Sequence, residues 1–230
     1  MFMPRKISYV LLFFSILLYA GCTRDEDDSI LIGQPQTGDN SEINQGTDGP
    51  NLLKNGGLEE WIGLPSYYYD SPSDWLCHNN NNVKKSHDIV YEGYYSAKME
   101  SEDSGASARI DQVVPVNQGG EIRIRFRYRV ENWKENGART YCYFRTGPAE
   151  STNISISDLR DFYSDEEYYI IRGGGRGIKY LPHSLNTWLV FDETIAVPPS
   201  ATYFVFGVNS YYETTIYVDE CYVGEISHLQ

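Results

Sequence analysis

The segment Arg139-Thr-Tyr-Cys-Tyr-Phe-Arg145 has the residue types and spacing best suited to gripping a polar ligand. Side chains of an extended strand alternate between faces, so Arg139, Tyr141, Tyr143 and Arg145 fall on one side. A tyrosine ring offers a flat apolar face to the C–H groups of a sugar and a hydroxyl at its rim. A guanidinium offers paired donors that match a carboxylate or a sulfate. Trp133 lies just ahead of this segment, Tyr211 and Tyr212 follow in a later turn, and Tyr67, Tyr68 and Tyr69 form an earlier cluster. The chemistry predicted is a platform for a ligand with both apolar and polar surface, with Trp133, Tyr141 and Tyr143 as its leading rings, although packing is the ordinary role of any single tyrosine.

Signals for catalysis are weaker. The chain has no Gly-x-Ser-x-Gly elbow, no His-Glu-x-x-His and no phosphate loop; the glycine run from Gly173 to Gly177 lacks the Lys-Ser/Thr that would complete one. His78, His87, His183 and His228 are scattered, with no partner at metal-ligand spacing. Beyond Cys22 stand Cys77, Cys142 and Cys221, an odd number that leaves at least one thiol unpaired. A glycosidase would need two carboxyl groups roughly 5–10 Å apart across a cleft, which sequence does not display. The expectation is a binding protein that is not an enzyme.

These residues sit in a succession of strands. Residues 121–130 alternate without a fault, with Ile122, Ile124, Phe126, Tyr128 and Val130 on one face and Arg123, Arg125, Arg127 and Arg129 on the other. The arginine ladder has two readings. It pairs with carboxylates on neighbouring strands, or it shares a concave face with Tyr141 and Tyr143 and meets acidic sugars. Further strands are predicted at 96–100, 108–115, 139–146, 188–195, 201–209 and 215–223, with turn residues at 117–120, 135–137, 198–200 and 209–210. Residues 156–163 could form a short helix, and 147–186 is a long connection of the kind that is often functional. Short strands at regular spacing imply an all-β, antiparallel sandwich.

The N-terminus sets the location. Arg5 and Lys6 precede an apolar run from Ile7 to Leu18, and Ala20-Gly21-Cys22 closes it. This is a secretory signal too short to span a bilayer comfortably. Its end resembles a lipobox, with Tyr19 where leucine is usual, which implies cleavage after residue 21 and a lipid on Cys22. The acids Asp25 to Asp28 are similar to the surface-export signal of lipoproteins in the Bacteroides group. Residues 22–50 are polar linker, and 51–230 form one domain. The formal charge is −13, and loss of Arg5 and Lys6 with the signal makes it −15. Such a surface repels nucleic acid and anionic lipid, so the membrane is met through the lipid anchor alone.

The residues in order also resemble a known family. Asn51-Leu-Leu-Lys-Asn-Gly-Gly-Leu-Glu-Glu-Trp61, Pro72-Ser-Asp-Trp75, Glu92 to Lys98, Ile110 to Val116 and Ile216 to Val223 are similar to the successive motifs of galactose-binding-like jelly rolls, the fold of many carbohydrate-binding modules. Leu58 departs from the usual phenylalanine, and 147–186 has no counterpart. The resemblance implies a structural calcium ion held by Glu59 and Asp219, with carbonyls near Gly93–Tyr95 completing its shell. It implies a polysaccharide or oligosaccharide ligand at Trp133, Arg139, Tyr141, Tyr143, Arg145, Tyr211 and Tyr212. The setting expected is an outer-membrane, cell-surface lipoprotein working with partner proteins of a glycan-uptake system. A protein-adhesion domain is the alternative, and a glycan hydrolase a more distant one.

Overall fold

A computed structural model describes residues 46–63, 70–78, 82–102, 107–134, 136–163 and 180–228. The signal segment, Cys22, the acids behind it, Tyr67–Tyr69 and Gly173–Gly177 lie outside the described residues. The described residues belong to one compact unit, Glu42–Gln230.

Thirteen strands and one α-helix occur among them. The strands are β1 (Thr47–Asp48), β2 (Trp61–Gly63), β3 (Asp70–Pro72), β4 (Leu76–His78), β5 (Val83–Ser86), β6 (Ser96–Glu100), β7 (Ala108–Pro115), β8 (Glu121–Asn132), β9 (Ala138–Thr140), β10 (Tyr143–Arg145), β11 (Trp188–Ala196), β12 (Tyr203–Ser210) and β13 (Thr215–Ser227). Helix α1 (Ile156–Phe162) follows β10, and the Ser155 side chain caps it by accepting the Asp158 N–H. One sheet has the order β11-β8-β13-β6-β5, with β1 also on β13; the second has the order β10-β12-β7-β4, with β9 also on β12; β2 and β3 form a separate hairpin. Every strand pair is antiparallel.

The two larger sheets stack as a sandwich because each strand has one apolar face. On β8 the residues Ile122, Ile124, Phe126, Tyr128 and Val130 are all buried. They meet Phe204, Phe206 and Val208 of β12 and Ile110 of β7 in a single core. Phe126 and Phe206 touch edge to face across the layers, with ring centroids 5.5 Å apart. Such a pair ties the sheets together more specifically than area burial alone.

The opening residues fasten the first segment to the last strand. Asn51 accepts the backbone N–H groups of Leu53 and Val223 and donates to the Cys221 carbonyl. Trp75 donates its indole N–H to the Asn55 carbonyl and packs on Phe206. These contacts account for the Asn51 and Trp75 motifs. Pairing begins at Thr47, ahead of Asn51, the expected start of the domain.

The arginine ladder alternates as expected, but it belongs to the sheet opposite Tyr141 and Tyr143, so the shared concave face does not form. Arg123 pairs with Asp48 and Asp192. Arg125 and Arg127 lie over the rings of Tyr222 and Tyr91, and Arg129 reaches the Asn186 side chain.

Candidate functional site

The outer face of the five-stranded sheet is the side turned away from the core. Register places Arg139, Asn209, Arg109 and His78 in one row across β9, β12, β7 and β4. The next row on this face runs through Tyr141, Gly207, Asp111 and Leu76. Tyr141 lies between β9 and β10 and gives its backbone N–H to the Gly207 carbonyl, so the pairing continues across the gap. Strand alternation thus puts Arg139, Tyr141, Tyr143 and Arg145 on one side, as the spacing predicts.

Their environments differ. A cleft of about 410 Å³ is lined by Ser107, Arg109, Arg139, Tyr141, Asn209, Tyr211 and Tyr212. It gathers Arg139, Tyr141, Tyr211 and Tyr212 from the sequence-predicted residues. The Arg139 guanidinium lies 4.4 Å from the Tyr211 ring centroid and 5.8 Å from that of Tyr212, and its Nε donates to Asn209 Oδ1 at 3.0 Å. Arg109 lies 4.1 Å from the Tyr141 centroid. Burial lowers the Arg139 pKa, with the surrounding tyrosines acting against it, and arginine stays protonated at any physiological pH.

Tyr143 and Arg145 stand on the same side but are closed off. Both are buried, and Arg145 donates to the Tyr143 hydroxyl, the Pro148 carbonyl and Asn153 Oδ1. The chain after β10 folds back over them, with Arg145 and Asn153 bridging. Their role is to hold that connection in place. Trp133 is not among the lining residues: it stacks on His183, with centroids 4.0 Å apart and ring planes 15° from parallel.

The turn between β12 and β13 aims two of the rings. Tyr212 and Glu213 both have left-handed backbones, at φ 50° and 55°. Two consecutive positive φ values match the twist of a tight hairpin, but side chains disfavour them. The sequence carries no Asn-Gly there, so its turn signal falls on Asn209-Ser210, which are the last two residues of β12. Thr214 is fully buried and accepts the Lys134 N–H, and Tyr211 N–H bonds the Gly137 carbonyl, so surrounding contacts hold the strained turn.

Sequence reading missed the polar side of the cleft. Arg109 sits beside Asp111 on β7, with Arg109 Nε 2.9 Å from Asp111 Oδ2, and His78 Nε2 is also 2.9 Å from that oxygen. Burial pushes the Asp111 carboxyl up, partly offset by Arg109 and His78. The alternation of β7 would have placed Arg109 and Asp111 on the outer face; only the neighbouring strand's register brings them to Tyr141.

Glu59 and Asp219 come together around one loop, as the calcium expectation requires, but its amides rather than its carbonyls point at them. Glu59 accepts the N–H groups of Tyr94 and Tyr95. Asp219 is fully buried and accepts those of Tyr91, Glu92 and Glu220. Calcium needs about six to eight oxygen ligands, and amide donors already engage both carboxylates. Among the described residues no group of three or more His, Cys, Asp or Glu is placed to hold a metal ion. As they stand, these residues do not fit a calcium shell.

No protein-family model matches the sequence, and no curated protein matches it. Solved structures share the fold. The enzymatically active domain of tailspike protein 4 of bacteriophage CBA120 aligns with a TM-score of 0.50 and 14% identity, over 76% of this chain and 21% of that one. The chain therefore spans about a fifth of the tailspike domain's length. TmCBM61 in complex with β-1,4-galactotriose aligns at 0.46 and 17% identity, over 76% of this chain and 98% of that one. The CBM22-1 xylan-binding domain of Paenibacillus barcinonensis Xyn10C aligns at 0.48 and 10% identity, over 79% and 97%. The class defined by the two antiparallel sheets is an all-β sandwich, and carbohydrate-binding modules are among the solved structures that align with it.

Proposed function

We propose that the protein binds carbohydrate, without cleaving it, in the cleft on the outer face of the five-stranded sheet. The observation that carries this reading is the convergence of Tyr141, Tyr211, Tyr212 and Arg139 with Arg109, Asn209 and Ser107 around one cavity. Rings supply apolar walls and the other side chains supply directed polar groups, the combination that a sugar's mixed surface needs. Among the described residues the lining itself contains no carboxylate, and Asp111 beside it is engaged by Arg109 and His78, whereas glycoside hydrolysis ordinarily uses two free carboxyl groups. That supports binding over cleavage. The biological setting we propose is a lipoprotein anchored through Cys22, exposed on the outer membrane, that captures polysaccharide for partner proteins of an uptake system.

Affinity electrophoresis through gels containing plant, host and microbial polysaccharides tests the binding. Retardation by at least one polymer, lost in Tyr141→Ala and Tyr211→Ala variants that melt normally, is the expected result. No retardation across the panel would reject the reading and favour adhesion to protein. Metabolic labelling with a clickable fatty acid, absent in Cys22→Ala, tests the anchor.

A further inference from the structure

We propose that the cleft selects acidic glycans, with Arg139 as the residue that receives a carboxylate or sulfate group on the sugar; this rests on the reading of the cleft as a glycan site. Two other arginines of the molecule are held by carboxylates. Arg123 holds Asp48 and Asp192, and Arg109 lies against Asp111. Arg139 differs from these, and from Arg125 and Arg127, whose pocket also holds Glu92 and Glu220, because the cleft it lines contains no acid among the described residues. Among the described residues no carboxylate lies within ion-pair distance of it, and its one hydrogen bond is from Nε to the neutral Asn209 side chain. Its partners are rings, Tyr211 and Tyr212. Tyr141 and Tyr180 also act on it electrostatically.

A half-buried cation without an anion is unfavourable unless something offsets its lost hydration. Ring faces do part of this, by about 0.5–2 kcal/mol for a cation over an aromatic ring. They attract charge without consuming donors. The planar fork is therefore left with its Nη1 and Nη2 donors unengaged among the described residues, while Asn209 fixes its orientation through Nε. A fork held at one nitrogen and stacked on a ring is pre-organised for two-pronged contact with a carboxylate or sulfate.

The charge balance of the lining points the same way. Its two cations are Arg109, which Asp111 beside the cleft balances, and Arg139, which no acid of the lining offsets among the described residues. This occurs on a chain whose formal charge is −13. Both guanidiniums lie over tyrosines of the lining, Arg109 over Tyr141 and Arg139 over Tyr211. Those rings seat cations, which moves recognition from stacking towards charge.

Isothermal titration of the whole protein in detergent micelles tests this with matched pairs of oligosaccharides. One pair is oligogalacturonate and its carboxyl-reduced neutral counterpart; the other is a sulfated galactan oligosaccharide and its desulfated counterpart. The acidic member of at least one pair should bind roughly tenfold or more tightly, the range a charge-assisted contact supplies. The pair that shows the preference names the acid. In Arg139→Gln the ratio of acidic to neutral affinity should fall to near one, and Arg139→Lys should recover part of it, with melting curves confirming that both variants fold. Equal or tighter binding of the neutral members, or an unchanged ratio in Arg139→Gln, would overturn the inference and leave the glycan reading intact. Binding of no member of either pair, together with no retardation on the wider panel, would remove both.

Discussion

Arg139 and Arg145 lie on the same side of the β9–β10 edge, yet they do different work. Arg139 opens on the cleft, and Arg145 is buried under the following loop. The physical difference is cover. Arg145 spends its donors on Tyr143, Pro148 and Asn153, so Arg145→Ala leaves the buried Tyr143 hydroxyl without its donor, empties a buried position and should destabilise the fold by about 2–4 kcal/mol. Denaturant melts should show it. Tyr211→Ala should weaken glycan binding by roughly tenfold, with a change in stability below about 1 kcal/mol. Similar stability losses for the two variants would contradict this division. The shared face of these residues was legible from their spacing. Which end of it stays open was not, because cover comes from residues 147–153, whose return path no local pattern encodes. Trp133 is missing from the cleft lining for a similar reason: its ring stacks on His183, fifty residues away.

Among the elements, the long regular strands were the most legible. Strands β6 and β7 have the limits that the sequence predicts, and β8, β11, β12 and β13 differ from theirs only at the ends. The tight turn after β12 was not legible, since Tyr212 and Glu213 take conformations their side chains disfavour. Gly137 makes that turn possible. A Cβ on it would lie 1.9 Å from Thr214 Oγ1 and 2.2 Å from the Tyr211 carbonyl. Gly137→Ala should therefore push the turn outward and weaken binding as well as stability, by titration and melting respectively. A variant that binds normally would show that the turn does not set the cleft. Strand β13 shifts register against β8 between Asp219 and Tyr222, and this irregularity gives a second prediction. Burial pushes the Asp219 carboxyl up to about 6, against the amide bonds that favour its charged form. In the unfolded chain an ordinary aspartate titrates near 3.8. Between these values the folded chain holds a proton that the unfolded chain has released. The stability contributed by this group is therefore greatest below about pH 4 and falls as pH rises through 6. Asp219→Asn should flatten that part of the melting profile; an unchanged slope would assign it to another group. Melting in chelator and in millimolar calcium should give the same midpoint, since amides already fill these carboxylates; a higher midpoint with calcium would revive the metal.

For the whole molecule, charge and site pull in opposite directions. A chain of formal charge −13 repels a polyanion at a distance, while Arg139 attracts it at contact. Salt screens the first over a Debye length of about 8–10 Å and the second much less. Association with an acidic polymer should therefore quicken, or stay level, as salt rises from about 10 to 150 mM, a trend readable by surface plasmon resonance. A steep loss over that range would instead indicate binding through a diffuse cationic surface. The placement of charge was the least legible feature. Arg123 to Arg129 stood out as a ladder, but sheet order put them on the opposite layer, while the inconspicuous Arg109 reached the cleft.

The pairing of Thr47 with Ser227 has a mechanical consequence. Chain entering at residue 46 joins the six-stranded sheet, and the cleft opens on the other sheet. A pull on a captured polymer, resisted by whatever holds residue 46, would run through the thickness of the sandwich. Along that line the weakest link is β1, two residues long and seated by the Gly49–Glu225 backbone bond and the Asp48–Arg123 pair. It should peel first, paying out a few residues of slack while both sheets and the bound polymer stay in place.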